Sequence, residues 1–281
     1  MPKKSTFDVI VANLNQLKER EATLKELRAL EIAEIPYTPG ENVAFRDIIQ
    51  LYRKYMPLTN TDISASDRIE LCKIIAERNK ENLRNILIKT DTCTDITAVA
   101  YVKNQYSLEA LAKLCKHITV QNEHVFSSFG ELCDDIESGD ADACIIPIAN
   151  TTDGKLANFY SIIDRYELKI LSTCEIESSD GNQVTRYALL KRSLVIPNND
   201  RCYVEFSFVS AQANTLKDII ETSSLLGLSV HRIDSLPLRY NKSSLEISSV
   251  LYGTLDGIMK FILFLKLNIP QHTILGLYNN V

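Results

Sequence analysis

The residues of this chain whose types and spacing could do chemistry lie in one polar loop at 150–154, with the sequence Asn-Thr-Thr-Asp-Gly. The loop follows a nearly continuous apolar run at 143–148, which predicts a buried strand, and a helical pattern begins after Gly154. Amide and hydroxyl side chains between a strand end and a helix N-terminus commonly bind anions. The sequence therefore predicts an anion site at this loop.

Composition limits the class of protein to which the chain belongs. It has 281 residues, 45% of them hydrophobic and 24% charged, which suggests about two domains, or three small ones, with a real core. The net charge of −5 argues against a nucleic-acid partner. No apolar run approaches the ~18 residues of a membrane span, and the N-terminus lacks the apolar stretch of a signal peptide. We expect a cytoplasmic protein without a membrane partner.

Cysteine and histidine spacing gives no sign of a metal site or cofactor. The seven cysteines are scattered without a C-x-x-C pair, and the four histidines have no ligand spacing. We expect reduced cysteines in the core, no metal and no cofactor, because glycine-rich phosphate loops are also missing from the sequence.

The periodicity predicts a multi-domain α/β chain with three modules. Residues 1–92 read as a helical module, with helices at 7–33, 43–55 and 67–89. Residues 96–194 read as an α/β lobe, in which Ser107 caps one helix and Ser128 with Glu131 forms a capping box for the next. The dipeptide Asp180-Gly181 predicts a tight turn between two strands. Residues 200–281 read as β-α-β-β-α-β, the order of a ferredoxin-like domain.

The loop and its strand resemble a motif of prephenate dehydratases, P-[IV]-E-N-S-x-x-G-x-[VI]. Four positions match it and two are close replacements, Thr151 for serine and Leu156 for the last aliphatic residue; the matches are Pro147, Ile148, Asn150 and Gly154. A Thr-Arg-Tyr run at 185–187 resembles the family's T-R-F motif. The resemblance implies that Asn150 and Thr151 hydrogen-bond the substrate, that Thr185 lies near its hydroxyl, and that Arg186 is a structural or carboxylate-facing cation.

The sequence also departs from the dehydratase pattern. Ala149 stands where the motif has glutamate. In the segment that corresponds to the family's first glycine-rich turn, this chain has neither of the two glycines. The family has a second α/β lobe between the strand that ends near Ile176 and the T-R-F run, and here only a hairpin turn remains. We therefore expect one lobe of periplasmic-binding-protein type, with a cleft that lacks its opposite wall.

Weaker resemblances cover the two ends of the chain. The helical module is similar to AroQ-type chorismate mutases, in which Arg46 would bind the substrate. The C-terminal module resembles the ACT domain that binds phenylalanine between subunits in many dehydratases. That resemblance implies ligand contacts from Asn214 and Leu216, and from Asp234 and Ser235.

Three functions stay open from the sequence. The first is a catalytically impaired prephenate-dehydratase-like protein of L-phenylalanine metabolism. It would act as a regulatory or ligand-binding homodimer or higher oligomer, with prephenate, chorismate or an aromatic amino acid as its ligand. The second is an active chorismate mutase or prephenate dehydratase completed by another chain. The third is an unrelated binding role on reused folds.

Overall fold

The structure, a computed structural model, describes residues 96–209, 215–237, 245–269 and 271–281, together with positions 68, 69, 72, 73, 76 and 87. It divides into two compact units, one formed by residues 1–87 with 259–268 and the other by residues 88–258 with 269–281. The predicted helices at 7–33 and 43–55, Arg46 and Asn214 lie outside the described residues.

Ten strands and five helices of the chain have described bounds. The strands are β1 Ala98–Val102, β2 Asn122–Phe126, β3 Ala143–Asn150, β4 Gly154–Lys155, β5 Lys169–Glu177, β6 Val184–Lys191, β7 Arg201–Val209, β8 Ser229–Pro237, β9 Leu245–Thr254 and β10 His272–Asn280. The helices are α1 Gln105–Leu114, α2 Phe129–Ser138, α3 Ala157–Arg165, α4 Thr215–Leu225 and α5 Leu255–Asn268.

All ten described strands belong to one mixed sheet, in the order β2-β1-β3-β6-β5-β10-β7-β9-β8, with β4 paired to β3. The first five strands in this order belong to the predicted lobe, and the last four belong to the predicted C-terminal module. The two halves of the sheet join where β5 runs parallel to β10. The chain is therefore a mixed α/β protein, as its periodicity predicted.

The lobe buries both faces of its half of the sheet, because β3 is apolar on both sides. Ala143 and Ile145 face a cluster that contains α1, whereas Cys144, Ile146 and Ile148 face a cluster that contains α2 and α3. A strand covered on both faces reads as a continuous apolar run, which explains the pattern seen in the sequence.

The helix starts were predicted partly correctly. Ser128 and Glu131 form the expected capping box, and Gly139 ends α2 in the left-handed conformation, with φ of 83°. Helix α1, however, is capped by Asn104, whose side chain accepts from the Ser107 N–H, while Ser107 is its partner in the box. The prediction of Ser107 as the cap was wrong, since Asn104 offers an equally good acceptor three residues earlier.

The segment after the polar loop also differs from its prediction. Residues 154–155 return as the short strand β4, antiparallel to the end of β3, before α3 begins at Ala157. The N-cap of α3 is Leu156, which has no side-chain cap. The loop therefore closes a hairpin and does not lead directly into a helix N-terminus.

The turn between β5 and β6 is the hairpin that the sequence predicted. The strands pair antiparallel from Lys169 with Lys191 to Glu177 with Val184. Gly181 has φ of 69°, a conformation that side chains with a Cβ rarely adopt. The Asp180 carboxylate accepts from Ser178 and Asn182, which fixes the turn.

The C-terminal module has the predicted order of elements. Its strands form an antiparallel set in the order β10-β7-β9-β8, with α4 between β7 and β8 and α5 between β9 and β10. Thr254 accepts from the Gly257 N–H at 3.2 Å, as expected of the residue that caps α5. Phe206 and Phe208 alternate with polar residues along β7 and are fully buried.

In the unit of residues 1–87 with 259–268, the described positions 68, 69, 72, 73, 76 and 87 are helical. Ile69 and Cys72 are buried. The six described cysteines are all free thiols, which fits the expectation of reduced cysteines. None of the helices that the structure describes has the length and apolar character to cross a membrane.

Gly276 lies where β10 meets β5, and replacing it tests the junction between the two halves of the sheet. A Cβ at this position would lie 2.5 Å from the carbonyl oxygen and 2.7 Å from the Cβ of Ile170. Because the carbonyl oxygen cannot move away without shifting the strand, we expect Gly276→Ala to lower the free energy of unfolding by about 1–3 kcal/mol or more, measured in urea.

Gly130→Ala is the control for this measurement. Gly130 lies in α2, and its nearest neighbour would be Ser128 Oγ at 3.8 Å. Alanine there should leave the stability unchanged or raise it by up to about 1 kcal/mol. Equal effects of the two substitutions would contradict the close β5–β10 approach.

Candidate ligand-binding site

A cavity of about 390 Å³ opens beside the polar loop. Strands β3, β5, β6 and β8 and the β3–β4 loop form its walls, and the lining residues are Ala149, Asn150, Thr151, Gly154, Glu175, Val184, Arg186 and Arg232. The structure thus brings three of the predicted site residues, Asn150, Thr151 and Arg186, to one cavity. Thr185 lies beside them on β6, paired with Asn150, but it does not line the cavity.

The polar loop uses its own side chains to hold its shape. Asn150 Oδ1 accepts from the N–H groups of Thr152 and Asp153 at 3.0 and 2.6 Å, and its Nδ2 donates to Asp153 Oδ2 at 2.9 Å. Thr151 Oγ1 accepts from the Val184 N–H at 3.2 Å. These bonds fix the loop to β6, and they leave Thr151 with its hydroxyl proton for a ligand.

Arg186 is the predicted cation of the site, and a carboxylate already pairs with it. Its Nε and Nη2 both donate to Glu175 Oε1, at 3.2 and 2.6 Å. Arg186 is mostly buried, whereas Glu175 is 57% exposed. The pair therefore holds the guanidinium in place against the cavity wall while Glu175 stands at the opening.

Arg232 of β8 is a site residue that the sequence did not reveal. Its Nη2 lies 3.5 Å from the position that a Cβ on Gly154 would take. Its Nε pairs with the Asp234 carboxylate at 2.9 and 3.0 Å. The expectation of a cleft with only one wall is thereby corrected, since the C-terminal module supplies a second cationic wall.

A buried carboxylate, Glu205 of β7, joins the lobe to the C-terminal module. Its Oε1 accepts from Lys155 Nζ at 2.5 Å and from the Tyr160 hydroxyl at 2.6 Å. Its Oε2 accepts from the Tyr278 hydroxyl at 2.7 Å. The side chains of Lys155 and Glu205 are only 4% and 2% exposed, so water does not screen the pair.

Glu205 with its three donors Lys155, Tyr160 and Tyr278, called the Glu205 cluster below, is connected to the cavity wall through Lys155. The Lys155 ammonium also donates to Ser248 Oγ at 2.5 Å and lies 3.8 Å from Asp234 Oδ2. Asp234 in turn pairs with Arg232 in the cavity wall. A chain of alternating charges therefore runs from the core between the two modules to the cavity.

Burial and charge act in opposite directions on Glu205. Burial alone raises the pKa of this carboxyl, but the Lys155 ammonium and the two tyrosine donors outweigh burial and hold the pKa below its ordinary value of 4.5. Burial and then the Glu205 charge raise the pKa of Tyr160 and Tyr278 far above the usual range. Both tyrosines therefore stay protonated and donate to Glu205.

Of the four residues predicted to bind a regulatory ligand, the three that the structure describes do not line this cavity. Leu216 lines a separate hollow of about 660 Å³ on α4, together with Lys217, Ile220, Glu221, Ser224 and Leu225. Asp234 faces Lys155 and Arg232, and Ser235 is exposed on β8. Asn214 lies outside the described residues.

The fold is shared with prephenate dehydratases. The enzyme from Streptococcus mutans aligns with a TM-score of 0.53 and 14% identity, over 66% of this chain and 98% of its own. The enzyme from Arthrobacter aurescens, solved in complex with L-Phe, aligns with a TM-score of 0.50 and 13% identity, over 65% and 90%. No family model and no curated protein sequence matches the chain. The likeness is therefore one of fold.

Replacing Glu205 tests the buried charge cluster. Glu205→Gln leaves the Lys155 ammonium buried without a counter-charge, and we expect it to lower the free energy of unfolding by about 3–5 kcal/mol at neutral pH. Because the folded pKa lies below 4.5, the contribution of Glu205 is complete above that pH and is lost as the pH falls through the folded pKa. The difference in unfolding free energy between wild type and variant should therefore become smaller in acid.

Glu175→Gln is the matched control, because it neutralises a carboxylate whose side chain is 57% exposed. It should lower the free energy of unfolding by about 1 kcal/mol or less, with both variants measured by urea titration. If both substitutions cost the same, or if the gap for Glu205→Gln widened in acid, the Lys155–Glu205 pair would not be the buried contact described above.

Proposed function

We propose that this chain is a catalytically impaired, prephenate-dehydratase-like protein of aromatic amino-acid metabolism, which binds a small ligand in the cavity beside the polar loop. The shared fold with prephenate dehydratases supports the metabolic context. The observation that carries the proposal is that Asn150, Thr151 and Arg186 make hydrogen bonds that hold the protein's own structure, and that they line a cavity that still has two cations.

Loss of a ring hydroxyl needs a proton donor, and decarboxylation needs charges that position the carboxylates. Ala149 occupies the motif position of glutamate and supplies no proton. Among the residues that line the cavity, Glu175 is the carboxylate, and it is tied to Arg186 at the exposed rim. Thr185 does not line the cavity, so its hydroxyl is not directed at a bound substrate.

The short β5–β6 hairpin supports the loss of the second lobe. The family pattern has that lobe between these two strands, whereas here they join through residues 178–183. Without a closing lobe, water stays in the cavity, and its dipoles weaken the preorganised donors on which such a reaction depends. Binding survives this loss more readily than catalysis does.

Catalytic impairment is tested by giving the purified protein chorismate and prephenate and separating the products by chromatography. We expect neither prephenate from chorismate nor phenylpyruvate above the uncatalysed control. Phenylpyruvate formation that disappears in Arg186→Ala would overturn the proposal and favour an active dehydratase. Prephenate formation that disappears in Arg46→Ala would instead locate an active mutase in the N-terminal module.

We also propose that the C-terminal module is an ACT-like module through which the chain forms a homo-oligomer. The antiparallel order β10-β7-β9-β8 with two helices supports the first part. Exposed apolar side chains support the second, with Ile220 and Leu225 of α4 at 42% and 47% exposure and Val230 of β8 at 41%. Exposed apolar side chains on a helix, and on an edge strand such as β8, are typical of surfaces that pair with another copy.

The oligomer is tested by sedimentation velocity on the full chain. We expect wild type to sediment as a dimer or larger species and the double variant Ile220→Lys/Leu225→Lys to shift toward monomer, because two buried charges would oppose association. The matched control is Leu108→Lys, an exposed leucine of α1 at 41% exposure in the lobe. A monomeric wild-type protein would contradict this part of the proposal.

A further inference from the structure

Two arginines on separate strands line the cavity beside the polar loop, and each has N–H groups that are left over from its ion pair. Arg186 directs Nε and Nη2 at Glu175, so its Nη1 remains for a ligand. Arg232 pairs with Asp234 through Nε, so its Nη groups remain as well. Two guanidinium groups with open N–H donors are suited to hold a carboxylate, which they bind by planar, charge-assisted hydrogen bonds.

The same cavity contains an unused acceptor beside that donor set. Both hydrogen bonds from Arg186 end on Oε1 of Glu175, so Oε2 stays available. Glu175 stands at the opening, with its side chain 57% exposed. A carboxylate oxygen with an open position beside an arginine is suited to an ammonium group held next to a bound carboxylate.

The charge balance around the cavity decides between kinds of ligand. Arg186, Arg232 and Lys155 supply three positive charges, and Glu175, Asp234 and Glu205 supply three negative ones. Each of these three cations is therefore already paired with one carboxylate. A dicarboxylate would leave negative charge without a partner, whereas a ligand with one charge of each sign adds no net charge.

We propose that the cavity binds a zwitterion of the amino-acid class, with its carboxylate between Arg186 and Arg232 and its ammonium at Glu175 Oε2. This inference rests on the proposed function and names its ligand class. The Thr151 hydroxyl donates a further hydrogen bond, while Ala149 and Val184 line the cavity with small apolar groups. The pocket volume of about 390 Å³ accommodates an amino-acid side chain.

The test titrates the 281-residue chain with each of the standard L-amino acids by isothermal calorimetry. The amino acid that binds most tightly is then compared with its deaminated acid, its decarboxylated amine, and prephenate. We expect the amino acid to bind at least about tenfold more tightly than the deaminated acid or the decarboxylated amine. Each of these two compounds lacks one charged group and so leaves charged groups of the site unpaired. Prephenate should bind more weakly than the amino acid.

Two variants assign the binding to this cavity. Arg232→Gln should lower the affinity for the amino acid and for the deaminated acid. Glu175→Gln should lower the affinity for the amino acid and for the amine, while the affinity for the deaminated acid stays the same or rises. Arg201→Gln and Glu177→Gln are the controls, because both residues are exposed and neither lines the cavity. They should bind as wild type does.

Each contrary outcome separates this inference from the proposed function. If prephenate binds more tightly than every amino acid and depends on Arg186, the proposed function stands and the zwitterion is wrong. An amino acid whose affinity is insensitive to both Arg232→Gln and Glu175→Gln binds elsewhere, which also overturns the inference. If neither prephenate nor any amino acid binds, both proposals fail.

Discussion

The rest of the structure depends on one buried carboxylate, Glu205, and on the three side chains that donate to it. A carboxylate in the core is costly unless it is paired and its oxygens are fully hydrogen-bonded. Lys155 and Tyr160 come from the lobe, and Tyr278 comes from the last strand. Because these partners come from both modules, the carboxylate is satisfied only when the lobe and the C-terminal module lie together.

This constraint explains how the cavity comes to have walls from both the lobe and the C-terminal module. The Glu205 cluster fixes Lys155 directly after the polar loop and thereby positions the loop against β8. Arg232 then lies beside Gly154 and faces the cavity from the C-terminal module. A strand of the C-terminal module thus forms the cavity wall that faces the lobe residues, and it adds a second arginine to the site.

The sequence predicted the elements of this fold better than the contacts between them. Local patterns showed the apolar run of β3, the Asp180-Gly181 hairpin and the capping box of α2, because each depends on neighbouring residues. The short strand β4 was missed, because the alternation typical of a strand cannot be recognised over two residues. Glu205 reads as the polar side of an alternating strand, and its burial depends on Lys155, which lies 50 residues away. Arg232 escaped prediction for the same reason.

The most direct test of the central claim is a double-mutant cycle on the unfolding free energy with Lys155→Met and Glu205→Gln. If the buried pair joins the lobe to the C-terminal module, the two substitutions are coupled, and the double variant is more stable than the sum of the single effects predicts, by about 1–3 kcal/mol. Single effects that add within about 0.5 kcal/mol would show independent sites and contradict the account.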